Sequence, residues 1–377
     1  MPPAFALTDE QRALADEARR IAREDLAPIV EEGEPGRVNR ALVRALAERG
    51  LLPRLFPEDG EVSATTLCLL REAVAMESPE AETALALQGL GAYPILQSGR
   101  PETAARWIPA VRSGEAVAAF ALTEPGHGSD AAALDLRAEP DESGWRLSGE
   151  KAFISNAPDA DVYTLFARTT EGAGAKGVTA FVVPGDSGGL SGESVELVAP
   201  HAVGNLRLEG VRVDATQVLG EVDGGFRVAM RTLDLFRPSV GAFAVGMARA
   251  ALDLAVAHAG ERTSMGKPLR EHQAVSQQLG EMATRTEAAR LLVYAAAAAH
   301  DRGERVTRAS AMAKLFATET AQEVVDAAIQ IHGARGLVAG SPLERLYREV
   351  RAPRIYEGTS EIQREVVARE LYRERET

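Results

Sequence analysis

The chain has 377 residues, enough for two or three domains. Apolar residues at 45% and charged residues at 26% exclude wholesale disorder. A net charge of −13 argues against general nucleic-acid binding while leaving room for a local basic pocket. The single cysteine, Cys68, excludes an internal disulfide and a zinc–thiolate cluster and fits a reducing cytoplasm. Met1–Glu10 has neither a basic start nor a long apolar run, so it does not read as a secretory signal. Thr83–Gly99, the longest charge-free stretch, carries Gln88, Pro94 and Gln97 and is too polar to span a bilayer. Aromatics are only 5%, which points to helices packed closely through Ala, Leu and Val.

The first third reads as helical. Thr8 and Gln11 suit a capping box, and Leu14, Ala18 and Ile21 recur at helical spacing. Further short amphipathic helices are expected over Asn39–Arg49, ending at Gly50, and around Ala64–Met76 and Pro101–Val111. From about Ala119 to Leu219 glycines multiply and strand patterns appear. Val178–Val183 is a continuous apolar run, and Leu206, Leu208, Val211 and Val213 alternate. Turn residues at Asp141–Gly144, Gly172–Gly174 and Asp186–Gly189 separate the strands. Strands and helices do not alternate regularly, so a small antiparallel β-domain is expected rather than a doubly wound sheet. The last third returns to longer helices. One stripe is Val240, Phe243, Met247, Ala251 and Leu254; another is Val275, Leu279, Met282, Ala289 and Val293. A third helix is expected over Arg308–Ile331. A last one covers Ser360–Arg373, with Ser360 and Gln363 as its capping box. The expected fold is mostly α with a central β-domain, divided at 1–118, 119–219 and 220–377.

Four segments could carry chemistry. Phe120–Asp130 sets two glycines around His127, so backbone N–H groups can converge on one acceptor; an ordinary loop would look the same. In Arg354–Arg364, Glu357 lies between Tyr356 and Gly358 just before a helix. Desolvated there it could serve as a general base; solvated, it would merely suit the helix dipole. Arg262–Gln273 joins two long helices with cations, a glycine and small hydroxyls, which suits a phosphate or a plain polar loop. Gln330–Gly336 is either a glycine cap or a close backbone approach to a ligand. The histidines are scattered with no metal-ligand spacing, so no metal site is expected. Arg345, Arg348, Arg351 and Arg354 read as a solvated or subunit-contact face.

Together and in this order, three motifs resemble the acyl-CoA dehydrogenase family of flavoproteins. They are Leu-Thr-Glu-Pro-Gly-x-Gly-Ser-Asp at Leu122–Asp130, Arg-x-x-x-Gly-x-Pro-Leu at Arg262–Leu269, and Tyr-Glu-Gly-Thr-Ser-Glu-Ile-Gln at Tyr356–Gln363. The resemblance spans nearly the whole chain. It implies an N-terminal helical domain, a middle β-domain and a C-terminal four-helix bundle. It implies α,β-dehydrogenation of an acyl-CoA thioester to the trans-2-enoyl-CoA, in fatty acid or carboxylic acid catabolism. Glu357 matches the base that takes the α-proton, while the β-hydrogen leaves as hydride to flavin N5.

For FAD the resemblance implies contacts from Phe120, Leu122, Thr123 and Ser129, from Phe153, Ile154 and Ser155 over one flavin face, and from Arg262, Ser264, His272 and Gln273 at the pyrophosphate and adenine. It adds Gln330 and Gly333 from a neighbouring subunit of a homotetramer, and Thr359 and Glu361 after the base. For the acyl-CoA it implies Ser129, Asp234, Arg237 and Gly358. An electron-transfer flavoprotein is the implied electron acceptor, and no membrane span is implied. The alternatives are an oxygen-using acyl-CoA oxidase or flavin monooxygenase on the same fold, or a non-catalytic flavin-binding relative. Phe153 stands where the family commonly has Trp and His127 where it has a small residue. Pro57–Ser63 is shorter than the family's stretch there, and a Lys-x-Gly-x-Arg-x-Ser segment is missing around Val195–Asn205.

Overall fold

Thr8 starts the first helix as expected: its hydroxyl accepts from the Gln11 N–H and the Gln11 side chain returns the bond, ahead of α1 (Asp9–Ile21). The computed structural model describes residues 7–57 and 61–376, so Met1–Ala6 and part of the short Pro57–Ser63 stretch lie outside the described residues. A π-turn follows α1 and leads into α2 (Ala27–Glu31). The helices α3 (Arg40–Glu48), α4 (Leu51–Leu55), α5 (Ala64–Ala75), α6 (Pro79–Ser98) and α7 (Pro101–Arg112) come next. Asn39 caps α3 by accepting from Leu42 N–H, and Gly50 at φ 77° ends it.

The strands are β1 (Ala118–Ala121), β2 (Arg137–Asp141), β3 (Gly144–Ser155), β4 (Val162–Arg168), β5 (Val178–Pro184), β6 (Leu190–Ser194), β7 (Val203–Asp214) and β8 (Val218–Leu219). Then come α8 (Gly225–Glu261), a two-stranded hairpin of β9 (Thr263–Ser264) and β10 (Lys267–Pro268), α9 (Gln273–Asp301), α10 (Thr307–His332), α11 (Pro342–Glu349) and α12 (Ser360–Glu376).

Contacts group the chain into two units. One contains Met1–Glu24, Ser63–Glu82 and Asp234–Thr377; the other contains Asp25–Val62 and Thr83–Leu233. The second unit is built on one sheet in the order β6-β7-β3-β2-β4-β5-β8, with β1 added beside β4. The sheet is mixed rather than purely antiparallel. β1 runs parallel to β4, from Ala118 against Val162 to Ala121 against Leu165. The forty residues between these strands allow the crossover that a parallel pair needs. Asp141–Gly144 turns β2 into β3 as its composition suggests.

The sequence pattern did not reveal α6 as a helix. Its glycines and Pro94 weaken helix propensity, but they serve packing. A Cβ on Gly91 would lie 2.6 Å from Ala119 N, so glycine lets the helix rest on β1. Buried Gln88 then fastens the two: its Nε2 donates to Ala116 O at 2.9 Å and its Oε1 accepts from Ala118 N at 2.7 Å.

In the first unit the apolar stripes of α8 and α9 are buried at Val240, Phe243, Met247, Ala251, Met282, Ala289 and Val293. By length and composition α8 could cross a bilayer, yet most of its apolar window is buried inside the protein, as in the core helix of a bundle. Pro238 lies within α8 and supplies no N–H to Asp234 O; Ser310 Oγ donates to that carbonyl instead, at 3.2 Å. One carboxylate ties α5 to α8 and α9. Glu72, buried, pairs with Arg249 and accepts from Arg290 Nε at 2.8 Å and Tyr294 OH at 2.7 Å.

Glu72→Leu would leave three donors facing an apolar side chain. The arginines are partly exposed and regain some water, so the expected loss is about 2–3 kcal/mol of stability. Urea unfolding followed by circular dichroism measures it, and an unchanged midpoint would remove this network from the account of the fold.

Candidate functional site

The segment before α12 is wound the wrong way for ordinary residues. Glu357 has φ 54° and Gly358 has φ 96°, both left-handed. Such a turn points successive carbonyls away from the normal ladder, and each finds a side-chain donor. Arg237 Nε, from α8, donates to Glu357 O at 3.2 Å. Lys314 Nζ, from α10, donates to Gly358 O at 2.7 Å. Gln363 Nε2, from α12, lies 3.1 Å from both carbonyls. The φ of 96° favours glycine at 358, and a Cβ there would also lie 2.5 Å from Gln363 Nε2 and push that side chain from its place.

The capping expectation for α12 needs correcting. Thr359, not Ser360, is the cap: its Oγ1 accepts from Ile362 N at 3.3 Å. Ser360 is buried and its hydroxyl donates to Glu319, while Gln363 is committed to the turn. Glu361 is exposed in the first turn of α12.

The Glu357 side chain is half-buried, and its Oε2 is inaccessible to water without a hydrogen-bond donor. Burial raises its pKa above the usual carboxylate range, against the opposing pull of Arg71, Lys314 and Arg237. Each cation has its own arrangement. Arg71, on α5, is ion-paired to Glu82 and donates to Ser239 Oγ at 2.7 Å. Arg237 sits 3.7 Å from Asp234, whose other oxygen accepts from Thr307 Oγ1 at 3.2 Å. Desolvation raises the Asp234 pKa. Thus Glu357, Gly358, Asp234 and Arg237 are brought together in one unit.

Sequence reasoning missed Lys314, Arg71 and Gln363. A signal for Lys314 existed: it lies on the Ser310, Ala313, Ala317, Ala321 face of α10, where every other residue is small and buried.

In the other unit, the Phe120–Asp130 segment is ordered by a buried pair. Lys151 Nζ bonds Leu122 O at 3.0 Å and Glu124 Oε1 at 2.8 Å. Glu124 also accepts from the N–H groups of Asp135 and Leu136. Thr123 O accepts from Ala152 N at 3.0 Å, which joins this segment to β3. The ring of Phe120 packs on Phe166 at 5.0 Å. His127 closes the loop by backbone pairing with Glu124, and its Nε2 lies 2.9 Å from Asp135. Ser129 is exposed at the loop's end.

A bulge interrupts the β3–β7 register between Lys151 and Ile154. Phe153 lies in it at φ 54°, its ring 62% exposed and its N–H bonded to Asn205 Oδ1 at 3.2 Å. Ile154 is buried and Ser155 half-buried. Asn205, which props this bulge, was also missed. An exposed aromatic ring aimed outward by a bulge suits a flat partner.

Arg262 begins the β9–β10 hairpin, exposed and without an ion pair among the described residues. His272 Nε2 lies 3.1 Å from Ser264 O, and Met265 at the tip has φ 49°. Gln273 is exposed at the start of α9. Gly333 at φ 59° ends α10, with Gln330 exposed one turn earlier. Next to it His332 stacks on His258 at 4.2 Å, which brings this segment beside the one that carries Arg262. Of the four arginines spaced by three, Arg348 pairs with Glu344 and Arg354 with Glu319, so that run is not simply a solvated face. No group of three or more His, Cys, Asp or Glu suited to a metal ion occurs among the described residues.

Three family models match the chain. They are "Acyl-CoA dehydrogenase, N-terminal domain" over residues 8–115, "middle domain" over 119–211 and "C-terminal domain" over 223–372. The cyclohexane-1-carbonyl-CoA dehydrogenase of Geobacter metallireducens is 35% identical over 98% of this chain and 99% of its own length. The mitochondrial short-chain specific acyl-CoA dehydrogenase of Bos taurus is 39% identical over 97% of this chain and 90% of its own. The solved butyryl-CoA dehydrogenase of Megasphaera elsdenii superposes with a TM-score of 0.92 at 33% identity, covering 98% of this chain and 100% of that one.

Gly358→Ala tests the turn. A left-handed residue with a Cβ and a displaced Gln363 side chain together cost about 1–3 kcal/mol. Thermal melting should fall accordingly, and a wild-type melting curve would show the turn to be unconstrained.

Proposed function

The chain belongs to the acyl-CoA dehydrogenase family, and from that premise we propose that Glu357 is its general base. It is an oxidoreductase that dehydrogenates an acyl-CoA, with FAD as cofactor. The observation that carries the proposal is the Glu357 carboxyl itself: a desolvated oxygen without a donor, on a turn fixed by three side chains. A carboxylate so held has lost the water that would weaken it as a base, and it does not have to be reoriented to receive a proton. In this reading Glu357 takes the α-proton of the thioester. Arg237 and Gly358 keep the base in place, and Asp234 and Ser129 are the further residues we assign to acyl-CoA binding.

Bound FAD supplies the hydride acceptor. The residues present fit it. Arg262 offers an unpaired guanidinium for a pyrophosphate, with Ser264, His272 and Gln273 beside it. The outward ring of Phe153, with Ile154 and Ser155, suits one flavin face, and the ordered segment of Phe120, Leu122, Thr123 and Ser129 suits the flavin's polar end. Thr359 and Glu361 complete the set.

We assign a homotetramer in which Gln330 and Gly333 reach a neighbour's cofactor. The strongly exposed Leu337 and Val338 that follow Gly333 support a subunit contact there. The electron acceptor proposed is an electron-transfer flavoprotein; the one thiol, Cys68, is buried with its pKa pushed far up, so it is a poor candidate to relay the electrons. A compact acyl group is supported by the relatives named for short-chain and cyclohexane-1-carbonyl substrates. A cytoplasmic setting accords with the single reduced cysteine. The boundaries 1–118, 119–219 and 220–377 are supported by the spans of the three family models.

Glu357→Gln should bind FAD and acyl-CoA yet reduce flavin about 10²–10⁴-fold more slowly. In the wild-type enzyme the group must be ionised to act, so activity should rise with pH, with its midpoint above the ordinary carboxylate range. Anaerobic flavin bleaching across pH measures both, and wild-type bleaching by the Gln variant would refute the assignment. Arg262→Ala should purify pale, with affinity for FAD lowered roughly ten- to a hundredfold. Retention of stoichiometric FAD through gel filtration by that variant would count Arg262 out.

A further inference from the structure

Lys314 has no ordinary reason to be a lysine. Its side chain is fully buried on α10 among small residues, where a Met would fill the space without the penalty of desolvating an ammonium. It makes no ion pair among the described residues; its hydrogen bond goes to a neutral carbonyl, Gly358 O. Burial pushes its pKa down to about 8, and the strongest charge pulling the other way is Glu357. The other charges that face it are Arg237, Glu319 and Glu361.

The neighbouring cations are already committed. Arg71 faces its own buried partner Glu82, and Arg237 faces Asp234. Glu319 is engaged by Arg354 and by Ser360, and Glu361 is exposed. Lys314 is therefore the cation near the turn whose charge is not already matched by a partner carboxylate.

We propose that Lys314 is a positioning residue for the base: it pins the Gly358 carbonyl that sets the Glu357 turn, and it brings a buried cation without a partner carboxylate of its own to the Glu357 carboxyl. This rests on the reading of Glu357 as the base. The two roles separate chemically. The hydrogen bond needs only a donor, whereas the electrostatic role needs a cation.

The test is anaerobic flavin reduction by butyryl-CoA as a function of pH, in Lys314→Met, Lys314→Gln and Lys314→Arg. Removing the charge leaves burial opposed only by Arg71 and Arg237, so the acid limb should move to higher pH in both Met and Gln. The Met variant, which also frees the turn, should lose on the order of 10²-fold in rate at neutral pH. Gln, still a donor, should lose less, and Arg should keep the acid limb of the wild type. A purely structural lysine would lower FAD content and melting temperature and leave the acid limb where it was; that result in Met or Gln overturns the proposal. If Met does not fold, Gln alone reads the charge.

A second readout needs no turnover. The melting-temperature changes of Lys314→Met and Glu357→Gln should be non-additive in the double variant, because each removes the same charge–charge interaction. Additive changes count against the proposal. Glu357→Gln also separates the two failures. If it bleaches at the wild-type rate, the base is misassigned. If it is inactive and the Lys314 variants keep the wild-type acid limb, only the role of Lys314 falls.

Discussion

Two consecutive left-handed residues, Glu357 and Gly358, set the terms for everything around them. That backbone is unfavourable by itself, and the ladder of α12 cannot stabilise it, because the carbonyls at 357 and 358 fall outside the helix. Stability comes from donors on three different helices: Arg237, Lys314 and Gln363. The arrangement explains features that look unrelated in the sequence. Position 358 favours glycine. Gln363, which looks like a capping residue, is bound elsewhere, and the cap passes to Thr359. The small-residue face of α10 admits one lysine. A turn held from three sides cannot relax when its carboxylate changes charge, which is what a proton acceptor needs if it is to return to one geometry in each cycle.

The electrostatics follow from the same placement. The chain as a whole is strongly acidic, yet Glu357 is surrounded by Arg71, Lys314 and Arg237. Burial favours the neutral acid and the cations favour the carboxylate. The net direction is upward, so desolvation exceeds the cationic pull without being free of it. Arg71 also faces Glu82, and Arg237 faces Asp234, so neither cation is given to Glu357 alone.

The sequence made the secondary structure legible where pattern and propensity agreed. The Thr8 box, the helix over Asn39–Arg49, the Asp141–Gly144 turn and the long helices of the last third all follow local rules that the fold respects. It misled where tertiary contact overrides propensity. Gly91 and Pro94 weaken a helix in isolation, but α6 is stabilised by the strand that Gly91 lets approach and by Gln88. Ser360 has the local signature of a cap, and Glu319, forty-one residues away, claims its hydroxyl. At the site, Glu357 stood out by its neighbours in the chain. Arg71 and Asn205 did not, because their partners are distant in sequence and nothing local marks them. A lone lysine on a buried alanine face is the exception, and it was readable.

Strain offers a last line of argument that is independent of motif. Among the described residues the left-handed non-glycine positions are Phe153, Asn156, Asp223, Met265 and Glu357. Three of the five fall in segments that carry candidate function for other reasons: the bulge beneath an exposed ring, the tip of the Arg262 hairpin and the turn of the base. Each costs of the order of 1–3 kcal/mol, a cost that a glycine would not carry. For Phe153 and Glu357 the benefit is visible, since a glycine would present neither a ring nor a carboxylate. The geometry that aims these groups and the strain it entails are therefore one feature of the chain, observed once through chemistry and once through backbone angles.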